Sequence, residues 1–117
     1  MKFASVPVRD QQRALEFYTK KLGFSIVTDQ HFGEGMRWIE LGINGAQTRL
    51  VLFTPQGHED RIGSFTGISF EADNVEKTYS ELSARGVEFT QHPKKEQWGT
   101  SALFKDADGN QFVLSSR

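Results

Sequence analysis

Apolar and polar residues alternate at the start of the chain, which is typical of a strand with one face on a core. Residues 2–8 place Ala4, Val6 and Val8 on one side. The spacing then changes to three- and four-residue steps, and this predicts a helix over about residues 11–22 with an apolar stripe. Asp10 lies where it can cap this helix, and Gly23 lies where a left-handed residue can end it.

Three more strands are predicted in the first half, at residues 24–29, 37–42 and 48–53. Residues 31–35 form a predicted turn before the second of these strands. Asn44 and Gly45 form a strong hairpin signal before the third. The first half therefore reads as a β-α-β-β-β unit.

The second half repeats this order. Strands are predicted at residues 66–71, 87–90, 100–105 and 111–115, and a helix capped by Asp73 and Asn74 follows the first of them. A polar loop is predicted at residues 92–99. Three pairs of residues in equivalent places, Asp10 and Asn74, Leu15 and Tyr79, and Gly45 and Gly109, are each 64 positions apart. The offset predicts an internal repeat.

One such unit cannot bury both faces of its sheet. The sequence therefore predicts an α+β fold in which two β-α-β-β-β modules form a curved eight-stranded mixed sheet, with helices outside and a concave cleft inside. We expect a single domain over residues 1–117, with module 1 at about 1–56 and module 2 at about 64–117.

Strand alternation predicts which side chains line the cleft. Large aromatic residues mixed with small and polar groups suit a ligand site better than a dry core. The predicted lining residues are Phe3, Ser5, Trp38, Glu40, Val51, Phe53, Gly67, Ser69 and Val113. Trp98 joins them because it falls in the polar loop, which could close over the cleft.

Composition narrows the classes of partner. The net charge is −1 with scattered charges, which gives no footprint for nucleic acid or an acidic membrane surface. No apolar run approaches a membrane span or a signal-peptide core. The chain has no cysteine, which excludes disulfides and thiolate chemistry. A cytoplasmic protein that binds neither nucleic acid nor membrane is expected.

Several loose motifs in a fixed order resemble the vicinal oxygen chelate superfamily of glyoxalase I, bleomycin-resistance proteins and extradiol dioxygenases. They cover nearly the whole chain: Val8-Arg9-Asp10, residues 13–18, Leu22-Gly23-Phe24, residues 68–71 and 82–89, Trp98-Gly99-Thr100, and residues 106–110. The resemblance implies the paired-module fold and a homodimer.

Enzymes of that superfamily hold a divalent metal on the first, fourth, fifth and eighth strands. Matched to this chain, the implied positions are Phe3, Val51 or Phe53, Gly67 and Val113. None of these side chains can bind a metal. We therefore expect no metal and no cofactor.

Two carboxylates point inward by strand alternation, Glu40 and Glu71. If apolar neighbours desolvate one of them, it could act as a general base. The alternative is a carboxylate at the cleft rim, solvated or paired with an arginine. A displaced metal site could combine two of His31, His58 and His92 with Glu40 or Glu71, although all three histidines lie in predicted loops.

Three functional hypotheses follow. The first is a metal-free protein that binds a small, partly apolar organic molecule, similar to the bleomycin-resistance branch. The second is a lyase, isomerase or dioxygenase with displaced metal ligands. The third is a regulatory or structural dimer whose cleft is vestigial. The sequence does not decide whether the chain is an enzyme.

Overall fold

The computed structural model describes residues 3–31, 37–43, 46–54 and 59–116. In chain order the helices and strands are β1 (Phe3–Pro7), α1 (Gln11–Glu16), β2 (Ser25–His31), β3 (Arg37–Gly42), β4 (Arg49–Phe53), β5 (Phe65–Glu71), α2 (Val75–Ala84), β6 (Glu88–Glu96), β7 (Gly99–Lys105) and β8 (Gln111–Ser115). The predicted α+β fold of two β-α-β-β-β units is confirmed.

The chain divides into two compact units, residues 1–62 and 63–117. The first unit contains a four-stranded sheet in the order β1-β4-β3-β2, and the second contains a four-stranded sheet in the order β5-β8-β7-β6. β1 pairs with β4 in parallel, and β5 pairs with β8 in parallel. The other strand pairs are antiparallel. The same order thus recurs in both units, as the repeat predicts. The predicted concave cleft stays a prediction.

In the first unit, α1 packs against β3 and β4. Asp10 caps the helix, since its side chain accepts a hydrogen bond from the Arg13 backbone N–H at 3.1 Å. The helix continues beyond Glu16 as a π-helical segment, Phe17–Lys21, and Gly23 follows in the left-handed region with φ +79°. The core between helix and sheet is fully buried: Val6, Val8, Ala14, Tyr18, Ile39, Leu41, Leu50 and Leu52.

In the second unit, Asn74 caps α2 by accepting from the Lys77 N–H at 3.1 Å. Tyr79 of α2 contacts the Phe89 ring edge-on, with centroids 4.7 Å apart. Aromatic rings fill the core below the helix, and Phe104 and Phe112 are both buried there.

The prediction of a polar loop over residues 92–99 is wrong. β6 continues to Glu96 and β7 begins at Gly99, so that Gln97 and Trp98 form the turn of a β-hairpin. β6 lies at the edge of its sheet and is mostly exposed, which is why it can be polar. An edge strand also tolerates Pro93, where the pairing register shifts between Gln91 and Lys94.

Other sequence predictions fall partly outside the described residues. These include most of the turn at 31–35, the Asn44-Gly45 hairpin and His58. The described part of the link between the units is a short 3-10 turn, Glu59–Arg61, and the chain into β5. None of the described helices is long and apolar enough to cross a membrane.

Candidate functional site

One face of the first sheet brings together several of the predicted site residues. Ser5 pairs with Val51, and Val51 pairs with Glu40, so these three side chains point to the same side. The residues next to them in β3 and β4, such as the pairs Ile39–Leu52 and Leu41–Leu50, lie on the side that α1 covers. We call the opposite side the Trp38 face; it consists of Phe3, Ser5, Trp38, Glu40, Arg49, Val51 and Phe53.

Two aromatic rings lie together on the Trp38 face. The centroids of Phe3 and Trp38 are 5.7 Å apart, and the ring planes meet at 82°. This edge-to-face arrangement is a favourable one for aromatic pairs. Both residues are half-buried, so part of each ring remains accessible.

A carboxylate and a guanidinium lie next to this aromatic pair. Glu40 is 8% exposed. Its Oε1 accepts a hydrogen bond from the Trp38 indole Nε1–H at 3.3 Å, and its Oε2 accepts one from Arg49 Nη1 at 2.7 Å. Burial of a carboxylate is costly unless it is paired and hydrogen-bonded, and here both oxygens have donors. Glu40 therefore joins the Trp38 ring to the Arg49 guanidinium.

The remaining residues of the Trp38 face differ in accessibility. Ser5 is exposed and Phe53 is half-buried. Val51 is 2% exposed, so it offers a ligand little surface. The accessible part of the face is thus made mainly by the two rings, Ser5, Phe53 and Arg49.

Arg49 was not among the predicted site residues, although a signal for it was present. It lies two residues before Val51 on β4, so the alternation that points Val51 to this face also points Arg49 there. It is diagonal to Glu40 across the β3–β4 pair, within reach of a long side chain.

Arg37 precedes Trp38 on β3 and is fixed on the opposite face. Its Nε and Nη2 each donate to one oxygen of Asp29 at 2.6 Å, and its Nη1 donates to Gln12 of α1 at 2.9 Å. These hydrogen bonds from Arg37 lower the pKa of Asp29, and the same pairing raises the pKa of Arg37. The contacts tie β2, β3 and α1 together behind Trp38.

The predicted site residues of the second unit lie on its own sheet. Ser69 pairs with Val113, and Glu71 pairs with Ser115. The hydroxyls of Ser69 and Ser115 are 2.8 Å apart and hydrogen-bonded. Glu71 is exposed at the end of β5.

Gly67 and Trp98 have individual surroundings. Gly67 lies in an irregularity of β5, where the pairing register with β8 shifts, and has φ +75°. Trp98 lies at the β6–β7 hairpin turn and is 59% exposed. The sequence placed Trp98 at the cleft because residues 92–99 were predicted to form a loop. In the structure Trp98 lies in this tight turn instead.

The residues at the implied metal positions do not fit a divalent metal. Phe3, Val51 or Phe53, and Val113 carry no donor atom on their side chains, and Gly67 has no side chain. No group of three or more His, Cys, Asp or Glu residues within ranges 3–31, 37–43, 46–54 and 59–116 could hold a metal ion.

The two described histidines are not part of the Trp38 face. His31 is exposed at the end of β2, and His92 lies on β6 with its ring centroid 5.6 Å from that of Tyr79. The second hypothesis, a displaced metal site, therefore gains no support from the described residues.

Comparison with known proteins gives a consistent family assignment. Residues 1–114 match the model of the Glyoxalase/Bleomycin resistance protein/Dioxygenase superfamily. The uncharacterized protein YetH of Bacillus subtilis (strain 168) is 39% identical over 110 residues, which are 94% of this chain and 92% of YetH.

Two solved structures are similar over almost their whole length. A superfamily member from Sphaerobacter thermophilus DSM 20745 is 38% identical with a TM-score of 0.90, and the match covers 100% of this chain and 96% of that one. TnmS3, an antibiotic binding protein from Streptomyces sp. CB03234, is 35% identical with a TM-score of 0.85, covering 99% of this chain and 93% of that one. Since the family model matches almost the full length, the chain belongs to the Glyoxalase/Bleomycin resistance protein/Dioxygenase superfamily.

Proposed function

We propose that this protein binds a small, partly apolar organic molecule on the Trp38 face without using a metal, as an antibiotic-binding type of superfamily member. The observation that carries the proposal is the Phe3–Trp38 ring pair beside the Glu40–Arg49 ion pair. Ligand sites are mostly apolar and aromatic, with a few placed polar groups that fix orientation. The similarity to TnmS3 supports the antibiotic class of ligand.

The chemistry of the implied metal positions also supports this proposal. A phenylalanine ring at position 3 adds apolar contact area where a metal enzyme would need a donor atom. The residues of the second unit, Gly67, Ser69 and Val113, stay a prediction as further ligand contacts. Trp98 is left out of the proposed site because of its place at the hairpin turn.

Catalysis by Glu40 or Glu71 is not part of the proposal. Both oxygens of Glu40 already accept hydrogen bonds, from Trp38 and Arg49. A general base must reach a proton of the substrate, and this carboxylate is buried between its own donors. Glu71 is exposed at a strand end, with no observation that favours a catalytic role.

Calorimetric titration tests the proposal. The EDTA-treated protein is titrated with a panel of aromatic antibiotics that includes a bleomycin, an anthracycline and a tetracycline. We expect at least one to bind, and we expect added Mn²⁺, Ni²⁺ or Zn²⁺ to leave its Kd unchanged. Trp38→Ala should weaken binding about 10-fold or more, because tryptophans in the centre of a binding site contribute on the order of 2 kcal/mol.

Trp98→Ala is the matched control, since it removes the other tryptophan of the chain. It should bind with the Kd of the unaltered protein. The proposal would be overturned if no member of the panel bound, if binding required a metal, or if Trp38→Ala bound as tightly as Trp98→Ala.

A further inference from the structure

The polar groups of the Trp38 face are not equally available to a ligand. Trp38 donates its indole N–H to Glu40 Oε1, and Glu40 Oε2 accepts from Arg49. The carboxylate side chain is 11% exposed, whereas the Arg49 side chain is 47% exposed. A molecule that approaches this face therefore meets the guanidinium before it meets the carboxylate.

Arg49 retains capacity to bind an oxygen. A guanidinium carries five N–H donors in a fixed plane, and Nη1 donates to Glu40 at 2.7 Å. The matching partner for such a group is a carboxylate or phenolate oxygen, because charge-assisted hydrogen bonds are stronger than neutral ones.

The guanidinium belongs to the same surface as the aromatic rings. Arg49 is the register partner of Phe3 in the β1–β4 pair, so the two side chains lie on the same face next to each other. Phe3 in turn contacts Trp38. An aromatic ligand resting on the rings would hold a substituent of its ring near Arg49.

We infer that the Trp38 face selects aromatic ligands carrying an anionic oxygen, with Arg49 binding that oxygen and Glu40 acting as a positioning residue. The inference rests on the proposed function and adds the ligand's chemistry to it. Glu40 holds two groups at once, the indole of Trp38 and the guanidinium of Arg49. A glutamine has one acceptor oxygen on its side chain and cannot accept both hydrogen bonds in the same way.

Three naphthalene probes that differ in charge test the inference by calorimetry: 2-naphthoate, methyl 2-naphthoate and 2-naphthylmethylammonium. We expect the anion to bind about 10-fold more tightly than the ester, and the cation to bind most weakly. Arg49→Met should lower the affinity for the anion to the affinity for the ester. Arg49→Lys should keep part of the preference, because it keeps the charge but loses the planar fork.

Arg13→Met is the matched control. It makes the same substitution on α1, on the other side of the sheet, and should keep the full preference for the anion. Glu40→Gln should reduce the ratio of anion to ester affinity, which a merely structural role would leave unchanged. Thermal unfolding checks that each variant is folded.

The outcomes separate this inference from the proposed function. If the panel of antibiotics binds but the naphthalene probes show no preference for the anion, or if folded Arg49→Met and Arg49→Lys both keep a full preference, the inference is overturned and the proposed function stands. If none of the three probes binds at concentrations up to about 1 mM while the antibiotic panel still binds, the inference is likewise overturned and the proposed function stands. If neither panel nor probes bind, both are overturned.

Discussion

Asn110 shows how a single buried side chain can close a turn. Asn110 is fully buried, and its Nδ2 donates to Asp106 Oδ2 at 2.9 Å. Its Oδ1 accepts from the Gly63 backbone N–H at 2.8 Å. The other Asp106 oxygen accepts from the backbone N–H groups of Asp108 and Asn110 at 2.9 Å. The β7–β8 turn is thereby tied to the segment that enters β5.

We predict that Asn110→Ala lowers the free energy of unfolding by about 1–3 kcal/mol, because it leaves buried polar partners unsatisfied. Urea unfolding measures the change. Asn74→Ala is the comparison, since it removes an exposed helix cap and should cost about 1 kcal/mol. A loss for Asn110→Ala well below about 1 kcal/mol would contradict the prediction.

The Asp29–Arg37 pair makes a second residue-scale prediction, one that depends on pH. The bidentate contact lowers the pKa of Asp29 below its ordinary value of 3.8. Folding therefore favours the ionised form, and the pair stabilises the protein above the unfolded-state pKa. This contribution is lost as the pH falls through the lower, folded-state pKa.

We predict that Asp29→Asn lowers the free energy of unfolding by about 1 kcal/mol at neutral pH. The difference from the unaltered protein should shrink steadily as the pH is lowered below 3.8, the ordinary pKa of the aspartate side chain. Urea unfolding at several pH values measures it. Glu88→Gln serves as a control, because Glu88 and Lys105 form a more exposed pair at 3.3 Å that should contribute little. A pH-independent effect of Asp29→Asn would refute this explanation.

At the residue scale, strand alternation predicted the direction of a side chain but not its partner. The side of the sheet on which Trp38 and Glu40 lie follows from the two-residue period of β3 alone. The partner of Glu40 depends on the register between β3 and β4, and the loop between these strands left that register uncertain in the sequence. Pairing with an arginine was one of the alternatives for Glu40. Alternation puts Arg49 on the same face, but Arg49 could be identified as the partner of Glu40 only once the register was known.

At the scale of elements, β5 departs from a regular strand. The register with β8 shifts between Phe65 and Ser69, and Gly67 has φ +75° within that stretch. The Thr66 hydroxyl supports the irregularity, since it donates to the Gln111 carbonyl at 2.8 Å and accepts from the Ile68 N–H at 3.1 Å. The glycine at an implied metal position is therefore also a backbone requirement of this strand.

We predict that Gly67→Ala lowers the free energy of unfolding by about 1 kcal/mol, because an L-residue in the left-handed region is strained. A clash is not the cause, since a Cβ at this position would meet nothing within 4 Å. Ser69→Ala on the same strand should change stability by less than about 0.5 kcal/mol. Equal unfolding midpoints for Gly67→Ala and the unaltered protein would show that the strain is absent.

The elements that sequence patterns predicted well are those with one buried face. Both helices were predicted from their apolar stripes and caps, and Asp10 and Asn74 cap them as expected. β6 was cut short in the prediction because most of its side chains are exposed, so the apolar alternation that marks a strand is absent after Phe89.

At the scale of the whole molecule, the 64-residue offset reflects two units of the same strand order. Each unit carries its own buried core, which is why the fold class could be predicted from apolar periodicity. A homodimer depends on surfaces that periodicity does not encode, and it stays a prediction. Light scattering would check it, with twice the mass of one chain expected.

Family membership and ligand chemistry are separate questions for this chain. The sequence motifs that resemble the superfamily lie mainly at helix caps, core stripes and turns, which specify the fold. The implied metal positions carry apolar residues or glycine, and the Trp38 face carries an aromatic pair with an ion pair. The proposed function follows from these site residues.

The fluorescence of Trp38 tests the proposed binding site most directly. In Trp98→Phe, the emission comes from Trp38, and in Trp38→Phe it comes from Trp98, since the chain has two tryptophans. We predict that the tightest ligand of the antibiotic panel changes the Trp38 emission saturably, with the Kd found by calorimetry, and leaves the Trp98 emission without a saturable change. An unchanged Trp38 emission at ligand concentrations that saturate the protein would place the ligand elsewhere and contradict the proposed site.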